Sequence, residues 1–167
     1  MKSWKTFNNR VVVNTSPLIT LCKSDQEWLL PELFSEIVIP SQVYDEIAMG
    51  GVDDPASQKI GQLKWLRLEY SVNLSPIVQS WDLGVGETAV ISHVLSNQEH
   101  IAIIDDSAAR RAASSLQLKV IGTLGVIVEA KRRGIINAIA PGLKALKDSG
   151  LWVSDELIIR LVQNEDK

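Results

Sequence analysis

The feature that most restricts this chain is a repeated change of hydrophobic period. Short β-branched runs are each followed by a helical pattern: "RVVVN" by "SPLITLC", "EIVIP" by "SQVYDEIAM", "HIAIIDD" by "SAARRAASSL", and "KVIGT" by "LGVIVEAKRRG". Strands separated by helical crossovers pair in parallel, so the repetition predicts an α/β fold with a mostly parallel central sheet. The runs are almost continuously apolar, as expected when helices cover both faces of the sheet. With 167 residues, 46% of them hydrophobic, the chain can bury one full core but not two. A single globular domain is expected over 11–167, preceded by a flexible N-terminal end at 1–10. "MGGVDDPAS" (49–57) reads as a flexible connection into a less legible middle.

Composition removes several classes of function. No apolar run approaches a membrane span, and "MKSWKTFNNR" has no apolar stretch after its basic residues, so neither targeting nor anchoring is expected. The single cysteine, Cys22, lies in the apolar "LITLC" and reads as core filler. It excludes an internal disulfide framework and a multi-cysteine zinc site, and the chain reads as cytoplasmic. A net charge of -3 gives no global attraction to a polyanion, so any such binding must be local, or helped by a metal or a partner.

In an open parallel sheet, ligands bind beyond the carboxyl ends of the strands. The polar residues there are Asn14 with Thr15 and Ser16, Asp105 with Asp106, and Gly122 with Thr123. Two further acids reach the same rim from helices. Glu87 follows "LGVG" one turn before the apolar Ile91 and Leu95, and Glu46 borders the apolar side that carries Val43 and Ile47, whereas Asp45 is turned further away. Each acid also has a purely structural reading: Asp106 as the cap of a helix beginning near Ser107, Glu87 as a complement to its own helix dipole, Glu46 as a solvated flank. Together they resist that reading, because two carboxylates about 4 Å apart repel by roughly 4 kcal/mol at an effective dielectric near 20. A cluster of three or four needs a cation. Oxygen ligands without supporting histidine or cysteine point to Mg2+ or Mn2+ and to phosphodiester chemistry. His93 and His100 read as surface or cap residues.

These motifs resemble the PIN-domain proteins, in particular their VapC-like toxin and nuclease branch. "NTSPLI" after the first strand, "GETAVI" opening a central helix, "IIDDSAARRAA" and "VIGTLGVIVEAKRRGII" stand in that family's order, from about Val11 to Val162. The resemblance implies a three-layer α/β/α PIN-like fold and a metal-dependent endoribonuclease hydrolysing RNA phosphodiesters. It also implies the toxin-like role of a toxin-antitoxin pair, with a small antitoxin as partner and a homodimer as an expected assembly. Carried over residue by residue, it implies Glu46, Glu87, Asp105 and Asp106 as catalytic acids, and Asn14, Glu87, Asp105 and Asp106 as ligands of Mg2+ or Mn2+. Thr15, Ser16, Arg110, Arg111 and Thr123 become candidates for contact with RNA.

The departure is Asn14, which stands where the family has an acid. Its side chain offers a metal one carbonyl oxygen but no charge. Three explanations stay open: a natural variant in which Glu87 and Asp105 do most of the metal binding, a domain that has lost cleavage and kept binding of protein or RNA, or an engineered change.

Other readings fit less well. "LGVGET" lacks the lysine and hydroxyl residue of a P-loop, and the first strand does not end in the acidic pair of a phosphoacceptor. "KRRG" (131–134) is either a helix C-terminus answered by cations or a basic patch. Arg110 and Arg111, one turn after Asp105 and Asp106, would hold a phosphate or pair with Glu87. The apolar stripe of Leu157, Ile158, Leu161 and Val162 packs on the sheet or meets a partner. Trp28 and Trp65 read as core or interface, Trp81 and Trp152 as ambiguous, and Trp4 as part of a mobile end.

Overall fold

The structure, a computed structural model, describes residues 10–166; Trp4 and the rest of 1–9 lie outside the described residues. The first half runs β1 (Arg10–Val13), α1 (Thr15–Lys23), α2 (Leu29–Leu33), β2 (Glu36–Pro40), α3 (Ser41–Ala48), α4 (Pro55–Ile60) and β3 (Leu66–Glu69). The second half runs α5 (Pro76–Gln79), α6 (Val85–Ser96), β4 (Ile101–Ile103), α7 (Ser107–Ser115), β5 (Val120–Ile121), α8 (Thr123–Arg132), α9 (Ala140–Asp148) and α10 (Asp155–Asn164). Arg10, placed by its sequence in the flexible end, already opens the first strand.

The five strands form one sheet in the order β3-β2-β1-β4-β5, every pair parallel. Together with its flanking helices this is the three-layer α/β/α fold. α6 crosses β1, β2 and β4, while α1 and α2 pack with α8. Of the four strands legible in the sequence, β1, β2 and β4 have both faces covered: Val11, Val12, Val13, Val38, Ile39 and Ile103 have no exposed surface; β5, half buried at one edge of the sheet, shows only as a short apolar run before Gly122. The strand the sequence does not show, β3, lies at the other edge, and Arg67 and Glu69 break its "LRLE" so that it never presents a continuous apolar run. Cys22 is 1% exposed, and burial, with Glu27 next in effect, pushes its thiol up to about 12, so it is inert core as expected.

Of the two readings of Trp28, 47% exposure removes core and leaves interface, whereas Trp65 packs on the core's edge. One sequence reading needs correction. His93 and His100 are not surface residues. They are 7% and 5% exposed, with rings edge to face at 5.1 Å, and they line a polar cavity of about 490 Å³ with Arg10, Glu36, Arg67 and Glu69. α6 is apolar nearly all round because it is sandwiched, and His93 is carried inside with it.

Burial, and then the neighbouring His100, hold the His93 imidazole below its ordinary value of 6.5. The unfolded chain therefore takes up a proton that the folded chain refuses. The stabilising effect is full above pH 6.5 and is lost as pH falls from there toward the lowered folded value. Thermal unfolding followed from pH 7.5 to 5 should show Tm declining below about pH 6.5, and His93→Phe should flatten that part of the curve.

Candidate active site

Chain order reverses between β1 and β4: from β1 the chain winds outward through β2 and β3, then returns to the other side of β1 for β4 and β5. This switch point is where an open parallel sheet leaves a crevice at its carboxyl edge. Asn14 and Asp105 sit just past those two strand ends. β1 is held against β4 by the register Val13 to Ile103 and by the Asn14 N–H, which donates to the Ile103 carbonyl at 3.0 Å.

Each acid meets a donor of its own. Asp105 is two residues past Ile103, and Thr123 two past Ile121, its register partner on β5, so the two face each other. The Thr123 backbone N–H donates to Asp105 Oδ1 at 2.7 Å and its hydroxyl to Oδ2 at 2.6 Å. Thr123 is fully buried, so it positions Asp105 and does not reach out to a substrate. Glu46 is exposed, yet it is no mere solvated flank: it accepts the Gly86 N–H at 3.0 Å and the Thr15 hydroxyl at 2.5 Å. Thr15 thus acts through Glu46. Asp106 caps α7, accepting the Ala109 N–H at 2.9 Å, as its structural reading has it, and leaves its other oxygen at the exposed rim.

Asn14, 1% exposed, donates from Nδ2 to Glu87 Oε1 at 3.2 Å. Only this orientation of the amide gives the carboxylate a donor. The opposite atom, Oδ1, is buried with no hydrogen-bond partner among the described residues. It faces the space that Gly86 leaves empty: a Cβ built there would stand 3.0 Å from Asn14 Oδ1 and 3.0 Å from Glu46 Oε2. Gly122 does the same on the other side, where a Cβ would stand 2.9 Å from Arg110 Nη1 and 3.0 Å from Asp105 Oδ1. Arg110 therefore borders Asp105 across an opening that only glycine keeps clear. Among the described residues neither Arg110 nor Arg111 pairs with Glu87, and Ser16 and Arg111 are exposed without a contact to the acids.

The basic run resolves as structure. Arg132 and Arg133 pair with the buried Glu129 at 3.2 and 2.8 Å, Arg133 also donates to the Leu33 carbonyl, and Lys131 meets Asp166. Gly134, with φ of 74°, ends the turn after α8. What sequence reasoning missed is the supporting part of the site, above all the Gly86 N–H. The available signal was that the helices of "GET" and "GTLG" start after glycine, with no side chain of their own to cap them.

The donor set is all oxygen and suits a hard divalent ion. The orphaned Asn14 Oδ1 and the glycine-lined space beside it fit such a group. Among the described residues no three His, Cys, Asp or Glu side chains are grouped so as to hold a metal ion, and Glu46, Glu87, Asp105 and Asp106 each already accept from a protein donor. Fold and site together define an α/β/α domain with acids placed at the carboxyl edge of its sheet, around the switch point between β1 and β4. The chain belongs to the PIN-domain family, which it matches over residues 10–167. PIN domains are a nuclease-type fold, in general hydrolases and typically dependent on a divalent metal. No curated protein and no solved structure matches the chain.

Two predictions follow from this geometry. Asn14→Asp replaces the donor to Glu87 with a like charge; at 3.2 Å the repulsion is roughly 5 kcal/mol at an effective dielectric near 20. Even if half is relieved by protonation, Tm measured in chelator should fall by roughly 5–10 °C, and millimolar manganese should restore it, with a larger shift than in the parent. Gly86→Ala should lower stability in urea by about 1–3 kcal/mol through crowding of Asn14 and Glu46.

Proposed function

We propose that the protein is a metal-dependent endoribonuclease, the toxin-like member of a toxin-antitoxin pair. The observation that carries this reading is the group of Asn14, Glu46 and Glu87 around Gly86 at the end of β1, with Asp105 and the neighbouring Arg110 past the end of the adjacent strand β4. Glu87, Asp105 and the Asn14 carbonyl would hold Mg2+ or Mn2+, with the free oxygen of Asp106 at the rim. When bound, such an ion neutralises phosphate charge and lowers the pKa of the attacking water.

The chain's own groups do the rest. Thr123 fixes Asp105 through both carboxylate oxygens, so the acid presents one geometry to its ligand. Glu46, steadied by Gly86 and Thr15, is the remaining carboxylate able to accept a proton from water near the phosphodiester. Arg110 holds a phosphate oxygen at the opening beside Gly122. A homodimer is the RNA-binding form in this reading, since a single acidic subunit offers little surface for RNA. A small antitoxin that covers the crevice would complete the pair.

One observation favours a second reading. Asn14 Nδ2 already answers Glu87, so the cluster is compensated without a cation, as a non-cleaving module that binds RNA or protein would be.

Cleavage of a mixed single-stranded RNA pool in manganese separates the two readings, using the parent, Asn14→Asp and Asp105→Asn. We expect cutting by the parent that falls at least 100-fold in Asp105→Asn, as for removal of an electrostatic catalytic group. Cutting by Asn14→Asp alone would show an intact site silenced at one position. Silence from all three folded proteins would favour the binding module.

A further inference from the structure

A groove whose apolar length the cleavage chemistry leaves unused opens beside Asp105. It has a volume of about 450 Å³ and begins at Asp105 and Arg110. From there it passes over Gly122 and continues between α8 and α10, walled by Leu124, Val128, Leu157 and Leu161. Trp152 stands at its rim and is 87% exposed, an unusual position for the largest apolar side chain.

The groove's chemistry is polarised along its length. Its only charged lining residues are Asp105 and Arg110, both at the acid end; the rest is apolar apart from glycine backbone. An occupant therefore needs an anionic linkage at one end and an uncharged, flat, largely apolar body at the other. The volume is that of a small-molecule site. A nucleotide of single-stranded RNA has this form: its phosphate meets Arg110, and its base lies in the apolar recess against an indole.

Resting on the endoribonuclease reading, we propose that Trp152 is a base-stacking residue. It would hold the nucleobase next to the cleaved phosphodiester and so set where along a strand the enzyme cuts. With no polar side chain deep in the groove, recognition depends on stacking area, and purines are preferred over pyrimidines at this position.

Because the Trp152 ring is nearly all in solvent, its replacement leaves the core untouched, and the test is free of folding effects. Binding is measured by fluorescence anisotropy with the full chain carrying Asp105→Asn, so that RNA is not consumed. The probes are a labelled oligoadenylate and an abasic strand of equal length and charge. Trp152→Ala should weaken oligoadenylate binding roughly 5- to 100-fold, Trp152→Phe should restore most of it, and the abasic strand should bind both proteins equally weakly. Equal binding of oligoadenylate by parent and Trp152→Ala would overturn the proposal, as would a Trp152→Ala loss of the same size with the abasic strand.

A parent that dimerises through Trp152 in light scattering, with unchanged RNA affinity in Trp152→Ala, would also overturn it and assign the groove to a second copy. Cleavage by the protein with Asp105 intact is scored separately. Cutting that persists at the same positions in Trp152→Ala would reject stacking while leaving the nuclease reading standing; absence of both binding and cutting in the parent would reject both.

Discussion

Several carboxylates are held at one edge of one sheet, and the arrangement around them exists to make that tolerable. A parallel α/β fold supplies the means, since every helix that follows a strand begins at the strand's carboxyl end and points its positive pole there. α1, α6, α7 and α8 all start at this edge. α6 and α8 begin after glycine, without a capping side chain of their own, and the N–H groups they leave open are taken by acids from other elements: Gly86 by Glu46, Thr123 by Asp105. The acids cap the helices, and the helices hold the acids.

This reciprocity makes the site sensitive to register. Asp105 finds Thr123 because β4 and β5 are aligned at Ile103 and Ile121, and a slip of one residue would turn each side chain to the opposite face. The pairing is guarded by the fully buried Val and Ile side chains of β1, β2 and β4, which have nowhere else to go. The core thus does more than stabilise the fold; it sets the positions of the acids. The same logic explains the two glycines beside them, where a methyl group would press on Asn14 and Glu46 or on Asp105 and Arg110.

Asn14 alters the balance without breaking it. A neutral amide gives Glu87 a donor where a carboxylate would give it a repelling charge, and it leaves one buried oxygen turned toward the crevice. The fold therefore tolerates the site without an ion, while keeping a set of hard oxygen donors that suits one. Elsewhere the charged groups are structural: the basic run after α8 is tied to Glu129, and the His93/His100 pair is enclosed at a polar cavity with Arg10 and Glu36. Neither serves the acid cluster.

The alternation of β-branched and helical segments determined the fold class, the parallel sheet and four of its five strands, because β1, β2 and β4 are buried on both faces and β5, though half buried at an edge, carries no charged residue to interrupt its apolar run. It also determined which polar residues stand at the strand ends, and so most of the acids. It could not reveal β3, where Arg67 and Glu69 interrupt the apolar pattern, or the burial of His93, which follows from α6 being enclosed on all sides. Nor could it tell which acids are engaged. That Asp106 caps its own helix, that Glu46 caps another, that Thr123 serves Asp105, and that Trp152 stands at the end of a groove opening from Asp105 depend on contacts between residues far apart in the chain. Local pattern dictates what a segment buries; only the register and packing of distant segments decide which polar atoms meet.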